Sequence, residues 1–404
     1  MRKITGLLLI ISVLAACNNK KTIIISVSNT SSLERTNELA EIEAESISAI
    51  LGDESFVITD HKGNQVPYQI TYDKKIIFPV TLQEHALANY YVEAGKPNNY
   101  TTIACGKHYP ERLDDIAWEN DKIAFRTYGP ALQATGERAF GYDIWVKRVS
   151  EPVVEKRYAT ELNPETKAKI EEVRKTDKEA AQALAHSVSY HIDHGNGLDF
   201  YSVGPTLGAG TSALLSGDTI IYPYCYKTYE ILDNGPLRFT VKLTYNPFVV
   251  GDDPNVIETR IISLDAGSQL NKITLSFANL SKTTPIATGI VMHEPSNEYQ
   301  INKETGYIAY AEHNDPENGQ IYVGVAFPTP IHDANIFKFS DKEKKERNAS
   351  GHVLAITDYP PGSNYTYYAG GGWSRWGFAN AISWYNDMNN FARKIKNPLH
   401  IVIQ

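Results

Sequence analysis

The sequence predicts a mainly β protein. It reads as a large antiparallel sandwich of two big sheets, a small N-terminal β-sandwich docked on it, and one surface helix. Three observations carry this. Short apolar, β-branched runs recur at roughly 8–12-residue spacing between Gly, Pro, Asn and Asp clusters. Tyrosine is abundant, 25 residues beside 5 tryptophans, and both suit half-buried strands. After residue 187 nearly every periodic segment alternates with period two.

The chain opens MRKITGLLLIISVLAAC. Arg2 and Lys3 form a charged start and Leu7 to Val13 a short apolar run, too short to cross a hydrocarbon core of about 30 Å. This is an export signal. Leu14-Ala15-Ala16-Cys17 is similar to a bacterial lipobox, which implies cleavage before Cys17 and lipidation of its thiol. The expectation is a protein lipid-anchored to the cell envelope, on the periplasmic or outer-membrane surface, touching membrane only through that anchor. The alternative is plain secretion. Residues 1–17 are thus a signal peptide, and 18–21 begin a tether.

Residues 18–104 read as the small sandwich. Thr22–Ser28 is an apolar strand, and Thr30–Glu43 a polar loop with a short strand. Val57-Ile58, Val66–Tyr72, Ile76–Val80 and Tyr90–Val92 follow, separated by turns. Residues 105–404 form the large domain. Within it Lys122–Tyr128 alternates: Ile123 and Phe125 share one face, Arg126 and Tyr128 the other. Asp143, Trp145 and Lys147 likewise oppose Ile144 and Val146. Residues 163–186 form the one clear helix, with Asn163 as cap, Pro164 in the first turn and Glu165 favouring the dipole. Further strands run from Thr219 to Tyr359, with a hairpin turn at Asp233-Asn234-Gly235. Asp341–Asn348 reads as a solvated charged loop, Ala379–Arg393 as a helix, and His400–Gln404 as a last strand.

Composition excludes several functions. The formal net charge is −8 with no basic cluster, which argues against nucleic acid. No CxxC or HExxH spacing signals zinc. No cofactor is signalled, though carboxylates leave a bound calcium open. Cys105 and Cys225 are either a pair or two buried thiols.

The densest chemistry lies in Tyr190–Gly210, YHIDHGNGLDFYSVGPTLGAG. Read as strand, turn and strand, it offers His191, His194, Asp199 and Tyr201 to one concavity. Asp193 is either part of that set or a turn cap. Arg126 and Tyr128 are expected to meet these residues from a neighbouring strand. Trp118, Glu119, Asp121, Trp145, Lys147, His293 and Trp373 complete a candidate set for binding an acidic sugar, for which an aromatic between charges is suited. Each also has a plain structural reading, in core packing or on a solvated face.

One reaction suits this set: β-elimination on a uronic acid. A cation must neutralise the carboxylate beside C5, a base must take the C5 proton, and an acid must protonate the leaving oxygen at C4. Arg126 is the candidate cation, His191 or His194 the base and Tyr201 the acid. Glycoside hydrolysis, which needs two carboxylates at a set separation, is the alternative. A non-catalytic glycan-binding lipoprotein is a third.

Several motifs in order carry a family resemblance. They are Pro110-Glu111-Arg112 with Asp114-Asp115, Ala117–Asp121, Ala124-Phe125-Arg126 with Tyr128-Gly129-Pro130, and Asp143–Arg148. His191–Gly208, Asn234-Gly235-Pro236 and Trp373–Gly377 follow. With these the chain resembles the bacterial lipoproteins of polysaccharide-utilisation loci catalogued as domain of unknown function 4861. The resemblance implies a galactose-mutarotase-like supersandwich. It also implies a lyase or dehydratase acting on uronic-acid-containing oligosaccharides.

Overall fold

A computed structural model describes residues 21–404; the signal segment and Cys17 lie outside the described residues. Among the described residues the strands form five antiparallel sheets. Two make the N-terminal sandwich. One orders His400–Ile403, Thr22–Ser28, Leu87–Ala94, Phe56–Thr59 and Gln65–Val66. The other orders Arg35–Glu43, Lys75–Leu82 and Gln69–Ile70. Ile23, Ile25, Val27, Phe78, Val80 and Val92 fill the space between them. The last strand therefore returns to the first unit, pairing Ile25 with Ile403, and does not join the large domain that precedes it. Arg35–Glu43 is a full strand where the sequence suggested a loop.

The large unit has three sheets. A nine-stranded sheet runs from Tyr226–Asn234 at one end to Glu298–Asn302 at the other, with Tyr365–Trp373 near its middle. A five-stranded sheet orders Thr219–Ile220, Ala209–Ser216, Thr284–Met292, Gly351–Tyr359 and Asp333–Lys338. A third orders Gly197–Asp199, Asp143–Lys147, Ile123–Thr127, Asp115–Glu119 and Cys105–Tyr109. All three send apolar side chains into one continuous core, including Phe125, Ile144, Leu198, Phe239, Ile273, Ile290, Val325 and Val353. This is the mainly β sandwich architecture that the sequence predicts. Cys105 and Cys225 are both free thiols.

Alternation in the third sheet is as read, but its second face does not meet solvent. Val154–Glu161 packs on it, and Pro164–Arg174 and Lys178–Val188 pack on that helix in turn, three helices in place of the single helix expected. Asn163 does cap, accepting from Thr166 N at 2.9 Å. The break comes from a second cap: Asp177 is extended and accepts from Ala180 N at 2.9 Å. A side chain competing for backbone donors restarts the helix there. Tyr158 and Tyr190 then pack on Trp145.

Burial of that face leaves Arg126 among three carboxylates. It pairs with Asp143, with Asp199 at 2.8 Å and with Asp115 at 3.7 Å. Trp145 stacks on its guanidinium at 5.2 Å. Burial pushes the Asp143 carboxyl up to about 7 and the Asp115 carboxyl up to about 6, although Arg126 pulls both down. Burial also raises Asp199. One guanidinium cannot balance three desolvated carboxylates, so the fold favours retained protons.

The C-terminal helix Ala381–Lys396 lies on the outer face of the nine-stranded sheet, burying Trp384, Met388 and Ala392. Gly372 allows this approach. A Cβ there would lie 2.5 Å from the Phe378 ring and 3.1 Å from Trp384.

Two outcomes are expected. Gly372→Val will destabilise the chain by about 1–3 kcal/mol through overpacking, measured as a lowered denaturation midpoint. Groups with raised folded pKa stabilise most when protonated. The contribution of Asp143 and Asp115 is therefore full below pH about 4 and lost as pH rises through about 6 to 7. Asp143→Asn should shrink the stability difference between pH 5 and pH 8, measured by denaturant titration. An unchanged difference would show that Asp143 does not hold its proton.

Candidate active site

Strand ends and three loops build a cleft of about 390 Å³. Phe200, Tyr201 and Ser202 come from the chain leaving Gly197–Asp199. His293 and Glu294 follow the strand ending at Met292. Glu312, His313 and Asp315 follow the strand ending at Ala311. Lys344 and Asn348 come from a short helix and its end.

His293 is the best-positioned base. Its Nδ1 lies 2.8 Å from Glu312 Oε1. A carboxylate there accepts the Nδ1 proton and leaves the lone pair on Nε2. The backbone is fixed as well: His293 N donates to Tyr310 Oη at 3.0 Å, and that hydroxyl donates to His293 O at 2.9 Å. Gln320 donates to Glu312 O at 2.7 Å. The base and its orienting acid thus sit on two strand ends tied to each other.

Tyr201 meets His293 edge to face, with ring centroids 6.2 Å apart. It is 7% exposed, and its buried hydroxyl has no hydrogen-bond partner among the described residues. A buried donor left unmatched is costly. Burial holds the phenol well above its ordinary value, and Glu312 adds to this. Tyr201 therefore keeps its proton.

Lys344 supplies positive charge, with Glu294 at 3.2 Å. Its segment is the helix Asp341–Arg347 and not the loop expected. Ser340 and Glu343 form a reciprocal capping box, with Ser340 N donating to Glu343 at 2.9 Å and Glu343 N to Ser340 at 3.3 Å. The Ser-x-x-Glu spacing was the available signal.

The structure brings Tyr201 of the expected catalytic set together with His293 of the expected binding set, but not the rest of the catalytic set. Arg126 does meet Asp199 and Tyr128, as an internal charge cluster sealed under helices. His191 is exposed, its Nδ1 2.9 Å from Asp199 O. His194 is exposed, its Nε2 3.0 Å from Ser189 O. Neither histidine lines the cleft, because Tyr190–Asn196 turns instead of extending. Asp193 caps that turn, accepting from Gly195 N and Gly197 N, each at 2.9 Å. Gly197 itself has φ +93°, open only to glycine at low cost.

The expected sugar-binding residues mostly serve the fold. Trp118 is buried and donates to Asn271 at 2.7 Å. Glu119 and Lys147 form a buried pair at 2.6 Å, and Glu119 also accepts from Val153 N and Val154 N at the start of the helical cover. Tyr128 and Trp145 belong to the Arg126 cluster. Trp373 is buried and donates to Asn318 O at 2.7 Å. Asp121 accepts from Gly267 N at 2.6 Å beside a groove between the two sandwiches. Glu312, His313, Asp315 and Lys344 were not singled out. Glu-His-Asn-Asp at 312–315 was a visible cluster, hidden by its position at the end of an ordinary strand.

A protein of Formosa agariphila named "Uncharacterized protein P7" is 26% identical over 403 residues, covering 94% of this chain and 93% of that protein. Among solved structures the chain is similar to an α-mannosidase from Enterococcus faecalis V583, with TM-score 0.48 and 7% identity over 95% of this chain and 46% of that one. It is also similar to a glycosyl hydrolase family 38 protein from Enterococcus faecalis, with TM-score 0.48 and 8% identity over 95% and 47%. The chain spans under half the length of these two structures. The sequence profile of one family matches residues 27–401, and the chain accordingly belongs to that family, described as Domain of unknown function (DUF4861).

Proposed function

We propose that the cleft carries out β-elimination, as a lyase or dehydratase, on oligosaccharides containing uronic acid. The observation that carries this reading is a histidine whose tautomer Glu312 sets, packed edge to face against the ring of Tyr201, whose hydroxyl is buried and unpartnered. Lys344 binds the uronate carboxylate and draws charge from C5. Nε2 of His293 removes the C5 proton. The electron pair of that bond forms the C4–C5 double bond as the C4–O bond breaks. Tyr201 gives its proton to the departing oxygen, and the site resets when His293 returns a proton through solvent.

Hydrolysis needs an acid and a second carboxylate. Glu294, Glu312 and Asp315 line the cleft, which is the observation favouring it. All three are engaged, however, Glu294 by Lys344 at 3.2 Å. Glu312 holds His293, and Asp315 Oδ1 caps its own turn, accepting from Glu317 N at 2.8 Å and Asn318 N at 2.7 Å.

The unsaturated product absorbs in the ultraviolet, so turnover is read directly. On a uronyl oligosaccharide, His293→Ala and Tyr201→Phe should each lower kcat by about 10²–10⁴-fold, and His191→Ala should leave it unchanged. Full turnover in both cleft variants would move the chemistry elsewhere. New reducing ends without absorbance would mean hydrolysis. Glu312→Gln should lower kcat, because the carboxylate that sets the His293 tautomer is lost. An unchanged kcat would make Glu312 only a packing residue.

A further inference from the structure

The helix that carries Lys344 also carries Arg347. At i and i+3 these side chains share a face, with Cβ atoms about 5–6 Å apart. Arg347 has no carboxylate within ion-pair distance among the described residues. One nitrogen, Nη1, donates to Pro205 O, three residues past Ser202 of the cleft wall. The guanidinium lies over the Tyr222 ring at 4.4 Å. From Tyr222 an aromatic ledge leads away from the cleft: Phe140 is 6.0 Å from Tyr222 and 6.2 Å from Tyr224. Tyr224 is 53% exposed, although it hangs on the fold through little more than a 3.4 Å contact to Gln133 O.

A cation without a carboxylate, set over Tyr222 and at 5.3 Å over Phe339, with Phe140 and Tyr224 continuing from Tyr222, is poorly explained by folding alone. Solvent-facing aromatic area is costly unless something covers it. A sugar ring offers an apolar face to an aromatic, and its acidic substituent offers two oxygens to a guanidinium. We infer that Arg347, Tyr222, Phe140 and Tyr224 form a second subsite, taking an anionic sugar next to the one held by Lys344. The substrate then carries acidic groups on more than the reacting residue. Burial at this second subsite supplies binding energy for holding the reacting sugar in place. The inference rests on the cleft reading for the location of the reacting sugar.

The test uses a monouronate and an unsulfated diuronate, titrated calorimetrically into the full chain carrying His293→Ala to prevent turnover. The diuronate should bind at least tenfold more tightly than the monouronate. Arg347→Met should remove that gain and leave the monouronate affinity unchanged, and Arg347→Lys should restore part of it. Tyr224→Ala, at an exposed position with no role in the core, should cut the gain severalfold without lowering the denaturation midpoint. Equal gains in wild-type background, Arg347→Met and Tyr224→Ala would overturn the subsite, as would no gain at all. The cleft reading fails separately, if ultraviolet turnover survives His293→Ala and Tyr201→Phe while the length-dependent gain still follows Arg347.

Discussion

A guanidinium removed from water must keep its charge and find partners for it. That constraint governs the third sheet and, through it, the site. Arg126 sits in the middle of the sheet, and carboxylates reach it from both neighbouring strands, Asp115 and Asp143, and from the strand beyond Asp143, Asp199. Burying such a cluster costs desolvation energy that only close geometry offsets. The strands must therefore hold register, Arg126 opposite Asp143 and Trp145 opposite Asp199. Once Asp199 is fixed, the chain leaving it is aimed, and Tyr201 two residues later enters the cleft. The charge cluster acts as an anchor for the site and not as its chemistry.

The two faces of one sheet also explain how the sequence could be partly misread. Alternation separated Phe125 from Arg126 and Ile144 from Asp143 correctly, because period two is a geometric necessity of a strand. It said nothing about what covers each face. The charged face was expected to meet substrate, and it meets helices instead. The helix that packs on that face, Val154–Glu161, lies outside the stretch 163–186 read as helical, and Tyr158 and Tyr190, which reach inward, flank that stretch. Long-range cover of this kind leaves no periodic mark.

The cleft was half legible. Tyr201 and His293 stood out as polar tips among apolar strands, but they come from segments some ninety residues apart. Their pairing depends on the crossover between Ala209–Ser216 and Thr284–Met292, adjacent in one sheet. Glu312 and Lys344 were invisible for different reasons. Glu312 follows an unremarkable strand, and its role exists only because Tyr310 and Ser296 tie that strand end to the His293 turn. Lys344 sat in a run of charges that composition assigns to solvent, although the Ser340–Glu343 capping box could have turned the loop into a helix. The N-terminal sandwich was more legible, being local, except for its last strand, supplied from the far end of the chain.

In the proposed elimination a proton leaves C5 and no water enters the glycan. Turnover of a uronyl oligosaccharide in heavy-oxygen water, followed by mass spectrometry of the products, tests this most directly. Elimination predicts products free of the label, one of them lighter by a water than its hydrolytic counterpart. Incorporation of heavy oxygen at a new reducing end, with no such mass loss, would contradict the account and make the cleft a hydrolase.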